Sequence, residues 1–178
     1  MLEKIPTEVI GRAAKVRLLI CDVDGVLTNG QLFFTPTGDE LKGFHARDGH
    51  GIKLVQRAGI ETAVISGRRS PAVALRMESL GVRHVYQGHE HKLAAFEELI
   101  EKLGISPEET CFIGDDLLDL TLLRRVGLAV AVADAHFTIQ NVVHYTTQLP
   151  GGFGAVREIC DLILYAQDKL EAAVSSYQ

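Results

Sequence analysis

A chain of 178 residues with 47% hydrophobic and 23% charged side chains has the make-up of a folded domain with a sizeable core. A formal charge of -5 and the lack of any basic run exclude nucleic acid as the main partner, since nothing tracks a phosphate backbone. No apolar run approaches a membrane span, and Met1–Ala14 lacks the cationic-then-apolar layout of a secretion signal, so no membrane partner and a cytoplasmic location are expected.

Val16–Asp22 (VRLLICD) is a nearly continuous apolar run of strand length that ends in an acid, which suits a strand buried on both faces of a parallel sheet. Gln31–Phe44 (QLFFTPTGDELKGF) reads as two short strands around a Thr-Pro-Thr-Gly turn. A lone hairpin is marginal in water, and this one carries Leu32, Phe33, Phe34, Leu41 and Phe44, so it is expected to pack on something, such as another subunit. A helix over Asp48–Arg57 stops at Gly59, and the strand Ile60–Ser66 follows. Ser70-Pro71 opens a helix that runs to Leu80, with Ser70 as the cap. Strand Val82–Gln87, helix Glu90–Lys102, strand Thr110–Asp115, helix Asp116–Val126 and strand Leu128–Ala133 continue the alternation. A terminal helix is expected over Phe153–Leu170, behind the glycine pair Gly151-Gly152. Alternating strands and helices imply an α/β fold, a doubly wound parallel sheet with right-handed crossovers, in a single domain over residues 1–178. Cys21, Cys111 and Cys160 show no metal or redox spacing and read as small buried hydrophobes.

Ligands of open α/β sheets sit at the carboxyl ends of the strands, and those ends carry chemistry here. The first strand delivers Asp22-Val23-Asp24-Gly25-Val26-Leu27-Thr28, the second Ser66-Gly67-Arg68, the third leads to Lys92, and the fourth delivers Gly114-Asp115-Asp116 with Asp119 one turn on. Acids that converge on one sheet edge repel unless a cation joins them, and hard oxygen ligands suit Mg²⁺. Asp22 can act as a nucleophile on phosphorus, and Asp24 can protonate the leaving alcohol and later activate water. Ser66 and nearby amides can bind phosphoryl oxygens, with Lys92 and the metal offsetting charge. Each element alone has a plain structural reading: Asp-x-Asp as a turn, Ser66 as a cap, Lys92 as a solvated lysine, Asp115-Asp116 as a helix start. Their order at successive strand ends is what carries the argument.

DVDGVLT (Asp22–Thr28), the Ser66 of VISGR, Lys92 and GDDLLD (Gly114–Asp119) resemble the motifs of the haloacid dehalogenase (HAD) superfamily of phosphohydrolases. The resemblance implies Asp22 as nucleophile, Asp24 as acid and base, and Mg²⁺ held by Asp22, the backbone carbonyl of Asp24, and Asp115. It places Asp116 and Asp119 near the metal. GFHARDGHGI (Gly43–Ile52), SGRRSP (Ser66–Pro71), GDDLLDL and GGFGAVREICDLIL (Gly151–Leu164) are similar to the bacterial 3-deoxy-D-manno-octulosonate 8-phosphate phosphatases. That subfamily is capless and tetrameric, acts in lipopolysaccharide precursor synthesis, and has a subunit-contacting hairpin. Nine-carbon sugar-acid phosphatases share most of these motifs. Arg68 favours the eight-carbon substrate, whose carboxylate a guanidinium grips bidentately. Gly67, Arg47, Arg76 and Arg157 complete the candidate substrate-binding set; Arg47 also suits a helix start, and Arg76 a solvated helix face.

No cap domain fits between Asp24 and Ser66, which the hairpin and one helix fill, or between Ser66 and Lys92. An open phosphoenzyme site needs a large substrate or a second subunit to exclude water. The stretch from Gly151 onward, with Arg157, is therefore expected to close a neighbour's site. A signalling receiver module has a similar make-up, but its phospho-acceptor would end a later strand. A domain that has lost catalysis would not keep both Asp22 and Asp24, and a phosphatase for macromolecules remains the third alternative. His89-Glu90-His91 sits at a loop-to-helix junction and reads as a surface feature rather than a zinc pair.

Overall fold

The computed structural model describes residues 5–175 and 177. Helix α1 (Thr7–Ala13) leads into β1 (Leu18–Cys21), whose four residues are all buried. After the hairpin β2 (Phe33–Phe34) and β3 (Glu40–Leu41), the chain alternates through α2 (Ala46–Arg57), β4 (Glu61–Ser66), α3 (Pro71–Leu80), β5 (His84–Gln87), α4 (Lys92–Leu103) and β6 (Thr110–Gly114). It continues through α5 (Leu120–Leu123), β7 (Leu128–Ala131), α6 (Phe137–Gln140), β8 (Tyr145–Thr146), α7 (Ala155–Ala166) and α8 (Leu170–Ser175). Six strands form one parallel sheet in the order β5-β4-β1-β6-β7-β8.

This order decides where the chemistry lies. The chain leaves β1 for β4 on one side and returns to β6 on the other, so β1 sits at the reversal of strand order, where α/β sheets open a crevice. The register pairs Cys21 with both Val64 and Ile113, bringing Asp22, Ser66 and Asp115 to one edge. The sheet centre is dry: Ile20, Ile65, Phe112 and Ile113 have no exposed surface, and each such side chain contributes about 1.5–3 kcal/mol on burial.

Several local expectations change. Ser70 stands at the cap of α3 with Pro71 after it, but its side chain makes no capping bond. The single helix expected over Asp116–Val126 is a 3₁₀ turn, Leu117–Asp119, followed by the short α5, because Asp116 and Asp119 bind local backbone amides and tighten the chain. The terminal helix breaks after Ala166, where Asp168 adopts a φ of 55°, and resumes as α8. Helix α1 and strand β8 were not anticipated: one lies in a stretch read only for targeting signals, the other is two residues long.

The hairpin is as short as expected, pairing Phe33 with Leu41 and Phe34 with Glu40. Leu32, Phe33, Phe34 and Leu41 are exposed.

The stretch from Gly151 docks on its own subunit, with Arg157 drawn into that packing. Helix α7 packs against α2 and α1. Gly152 donates its amide to Val26 O at 2.9 Å, and Gly151 donates to Asp134 Oδ1 at 2.9 Å. A Cβ on Gly151 would fall on the carbonyl group of Gly25. The glycines therefore permit backbone to pass against backbone, behind the turn that follows β1. Gly151→Ala is expected to cost about 2–4 kcal/mol, as for other forced overlaps, measured by the urea midpoint. Gly43→Ala, where a Cβ meets nothing within 4 Å, serves as the control and should change stability by less than about 0.5 kcal/mol.

Candidate active site

Asp22 ends β1, and its amide donates to Ile113 O at 3.0 Å. The chain then makes a π turn, Val23–Leu27, in which Gly25 has a φ of 91°. A Cβ there would run into the Asp115 carboxylate, so glycine is required both by conformation and by the approach of the second acid. Thr28 closes the turn, its amide bonding Val23 O at 3.0 Å.

Lys92 opens α4 and is buried, 1% exposed. Its ammonium lies 2.8 Å from Asp22 Oδ1 and 2.6 Å from Asp119 Oδ1, with the Phe112 ring beneath at 5.7 Å. Burial opposes this charge, but Asp22 and Asp119 outweigh it and hold the ammonium above its ordinary pKa. Both oxygens of Asp119 are engaged: Oδ1 takes Lys92, and Oδ2 accepts from the amides of Asp115 at 2.9 Å and Asp116 at 3.4 Å. Asp116 turns away to cap the 3₁₀ turn, accepting from the Leu117 amide at 2.7 Å.

Asp115 is the least compensated acid. Its Oδ1 is buried with no hydrogen-bond partner. Burial, then the charges of Asp22 and Asp119, push its carboxyl up to about 8; burial and Asp119 push Asp22 up to about 6 against the pull of Lys92. Oxygens of Asp22, Asp115 and Asp119 lie within 4.8 Å of one another, the one such cluster among the described residues. An all-oxygen set with an unpartnered buried atom fits a hard divalent cation such as Mg²⁺. With Asp119 spent on Lys92 and backbone amides, Asp22 and Asp115 have the freer oxygens.

Ser66, 3% exposed, ends β4, and its Oγ accepts weakly from the Arg68 amide at 3.4 Å. Arg68 reaches Glu40 at 3.0 Å. A cavity of about 150 Å³ opens here, lined by Asp22 and Asp24, Ser66 to Arg68, Lys92, and the acids Asp115, Asp116 and Asp119.

Three expected site residues stand outside that cavity. Arg47 is exposed on the first turn of α2. Arg76 lies over the Phe44 ring and against Gly49, under the same helix. Arg157 binds Asp161 at 2.8 Å and His50 at 3.2 Å, and its amide serves Asp48. Arg76 and Arg157 belong to the packing around α2 and α7, while Arg47 faces solvent. Conversely, Lys42 and Glu40 of the hairpin reach the site, Lys42 bonding Asp24, with no motif to announce them.

A family model described as haloacid dehalogenase-like hydrolase matches residues 78–151. The 3-deoxy-D-manno-octulosonate 8-phosphate phosphatase KdsC of Yersinia pestis is 50% identical over 169 residues, 95% of this chain and 90% of that protein. The chain belongs to the haloacid dehalogenase-like hydrolases of the KdsC type. A crystal structure of the Y. pestis phosphatase superposes with a TM-score of 0.91 at 51% identity, covering 92% of this chain and 89% of the other. The Moraxella catarrhalis phosphatase, solved in complex with magnesium ion, phosphate ion and KDO, gives a TM-score of 0.95 at 39% identity, covering 97% of this chain and 99% of the other. The groups at the four strand ends, Asp22 and Asp24, Ser66, Lys92, and the acids Asp115, Asp116 and Asp119, meet in one cavity.

The raised acids make a pH prediction for the metal-free protein. An acid whose pKa is higher folded than unfolded contributes stability at low pH and loses it as pH rises through the folded value. In EDTA, stability should therefore decline between about pH 4 and 8, with Asp22 and Asp115 both responsible up to about pH 6 and Asp115 alone above it. Asp115→Asn, which cannot ionise, should flatten the upper half of that decline in melting temperature measured against pH.

Proposed function

We propose that the chain is a Mg²⁺-dependent phosphatase that hydrolyses 3-deoxy-D-manno-octulosonate 8-phosphate to the free sugar acid and phosphate, a step of lipopolysaccharide precursor synthesis. The observation that carries it is the pairing of Asp22, held by Lys92, with Asp24, Ser66 and Asp115 around one cavity. The KdsC relatives named for this reaction support the choice of substrate. Arg68 supports it as well: at the cavity and 48% exposed, its guanidinium is free to leave Glu40 for a substrate carboxylate.

Asp22 is the nucleophile and carries the phosphoryl group; Asp24 protonates the departing sugar oxygen and then takes a proton from the attacking water. Lys92 keeps Asp22 ionised and aimed, while Ser66 and the amides of the loop after β4 receive phosphoryl oxygens. Asp119 acts through Lys92 and the amides of Asp115 and Asp116, and Asp116 shapes the turn. Asp22, Asp115 and the backbone carbonyl of Asp24 would hold the metal. When bound, Mg²⁺ offsets the charge shared by the carboxylates and the phosphate.

The same reading makes the enzyme cytoplasmic and homotetrameric. The exposed apolar hairpin supports assembly. Among the described residues no helix is long and apolar enough to cross a membrane.

Phosphate release under steady-state conditions tests the proposal. Asp22→Asn should abolish turnover, and Asp24→Asn should abolish it while retaining Mg²⁺ binding; wild-type activity in the first removes the aspartyl-phosphate route. Arg68→Ala should cost about 1.5–3 kcal/mol in kcat/KM on the sugar-acid phosphate and much less on p-nitrophenyl phosphate. Equal losses would assign Arg68 to the phosphate or to packing.

A further inference from the structure

The residue after β3 is a cation inside the site. Lys42 has a side chain only 1% exposed; it bonds Asp24 Oδ1 and lies 3.2 Å from Glu40 Oε1. That same Glu40 oxygen accepts from Arg68 Nη2 at 3.0 Å, and Arg68 Nε stands 3.8 Å from Asp24 Oδ2. Asp24, Lys42, Glu40 and Arg68 thus form a closed ring of alternating charges, drawn from the turn after β1, the hairpin and the loop after β4.

The links of the ring are unequal. Lys42 is buried and sits directly on Oδ1. Arg68 is 48% exposed and too far from Oδ2 for a good hydrogen bond. The two oxygens of Asp24 therefore have different standing: one is anchored by a fixed cation, the other meets only a loose guanidinium. A carboxylate that must give and then take a proton needs its working oxygen placed within hydrogen-bond reach. Loss of aim by about 1 Å is costly. Lys42 is poorly placed to act as a phosphate ligand instead, since its ammonium already serves two acids.

We propose that Lys42 is the positioning residue for Asp24, holding Oδ1 so that Oδ2 is the oxygen that transfers the proton. The inference rests on the phosphatase reading above. In the first step the bond from Asp22 to phosphorus forms, the ester P–O bond breaks, and the proton on Asp24 Oδ2 passes to the sugar oxygen, leaving an alcohol and a carboxylate. In the second, water attacks the aspartyl-phosphate, the Asp22–P bond breaks, and Oδ2 takes the proton of that water. Asp24 ends protonated and Asp22 free. Lys42 exchanges no proton and touches no substrate. Its position on the hairpin gives the hairpin a role in catalysis through Asp24.

The test uses full-length enzyme with Mg²⁺, the variants Lys42→Met and Lys42→Arg, and rapid mixing with p-nitrophenyl phosphate. A nitrophenolate leaves without needing a proton, so phosphoryl transfer to Asp22 should survive in Lys42→Met, whereas water attack should slow by about 10²-fold. The expected trace is a burst of p-nitrophenolate close to the number of sites, then slow turnover with KM little changed. On an aliphatic sugar-acid phosphate, whose leaving oxygen needs the proton, Lys42→Met should give no burst, and Lys42→Arg should restore most of the lost turnover. A tether that merely holds the hairpin would instead raise KM on both substrates and spare kcat. Unchanged turnover, or slowing without a burst on p-nitrophenyl phosphate, overturns the proposal. If Lys42→Met does not fold, Lys42→Gln replaces it under the same criteria. If the wild type ignores sugar-acid phosphates, the substrate reading fails, and the p-nitrophenolate burst still decides the role of Lys42.

Discussion

The buried ammonium of Lys92 is what allows the rest of the site to exist. Two like charges about 4 Å apart repel by about 4 kcal/mol at an effective dielectric near 20, and this site gathers Asp22, Asp115 and Asp119 more closely than ordinary surface acids. Lys92 bridges two of them at 2.8 and 2.6 Å, with its stem in the core and Phe112 below. The price is a charge taken out of water, tolerable only because both partners are close and well directed. Asp115 is left over, with an unpaired buried oxygen that suits a hard divalent cation. Under the proposed phosphatase reading, lysine and metal would divide the neutralisation: one permanent charge fixes Asp22, and an exchangeable one would complete the set.

Behind the site, a second group of polar contacts holds the turn after β1 from the rear. Glu158 on α7, 5% exposed, accepts from the Tyr145 hydroxyl at 2.7 Å and from the amides of Gln148 and Leu149 at 3.0 and 3.2 Å. It shapes the loop that delivers Gly151 and Gly152 against Gly25, Val26 and Thr28. Asp134 takes the Gly151 amide, and Asp115 O accepts from the His136 amide at 2.8 Å. A buried carboxylate with several backbone donors is well satisfied, so this wall is stiff. Stiffness here becomes accuracy at Asp24, because the turn cannot shift without moving the glycines packed behind it.

The hairpin contributes in two ways that meet at one segment. Its apolar residues face solvent on this chain, while Glu40 and Lys42 face inward to Asp24 and Arg68. Alternation accounts for the division on β3, where Leu41 points out between Glu40 and Lys42, whereas Phe33 and Phe34 on β2 are both exposed. A two-residue ladder is too short to place these groups by itself, and the ring of charges ties the hairpin to the core.

Much of this was legible in the chain alone. Apolar runs ending in Asp22, Ser66 and Asp115 declared buried parallel strands with chemistry at their carboxyl ends, because a doubly buried strand must be apolar and its ligand-facing end need not be. Gly81 and Gly104, both left-handed at helix ends, were equally readable stops. Only the tertiary structure decided which carboxylate oxygens were already occupied. It spent Asp119 on Lys92 and turned Asp116 into a cap, a distinction set by angles across a turn that spacing does not record. It also withdrew Arg76 and Arg157 into the packing of α2 and α7, and set Gly151-Gly152 in close contact with the turn after β1. Lys42 was invisible for the same reason: its partners are Asp24 and Glu40, and the fold of the hairpin over the strand ends, not any local pattern, brings it to Asp24.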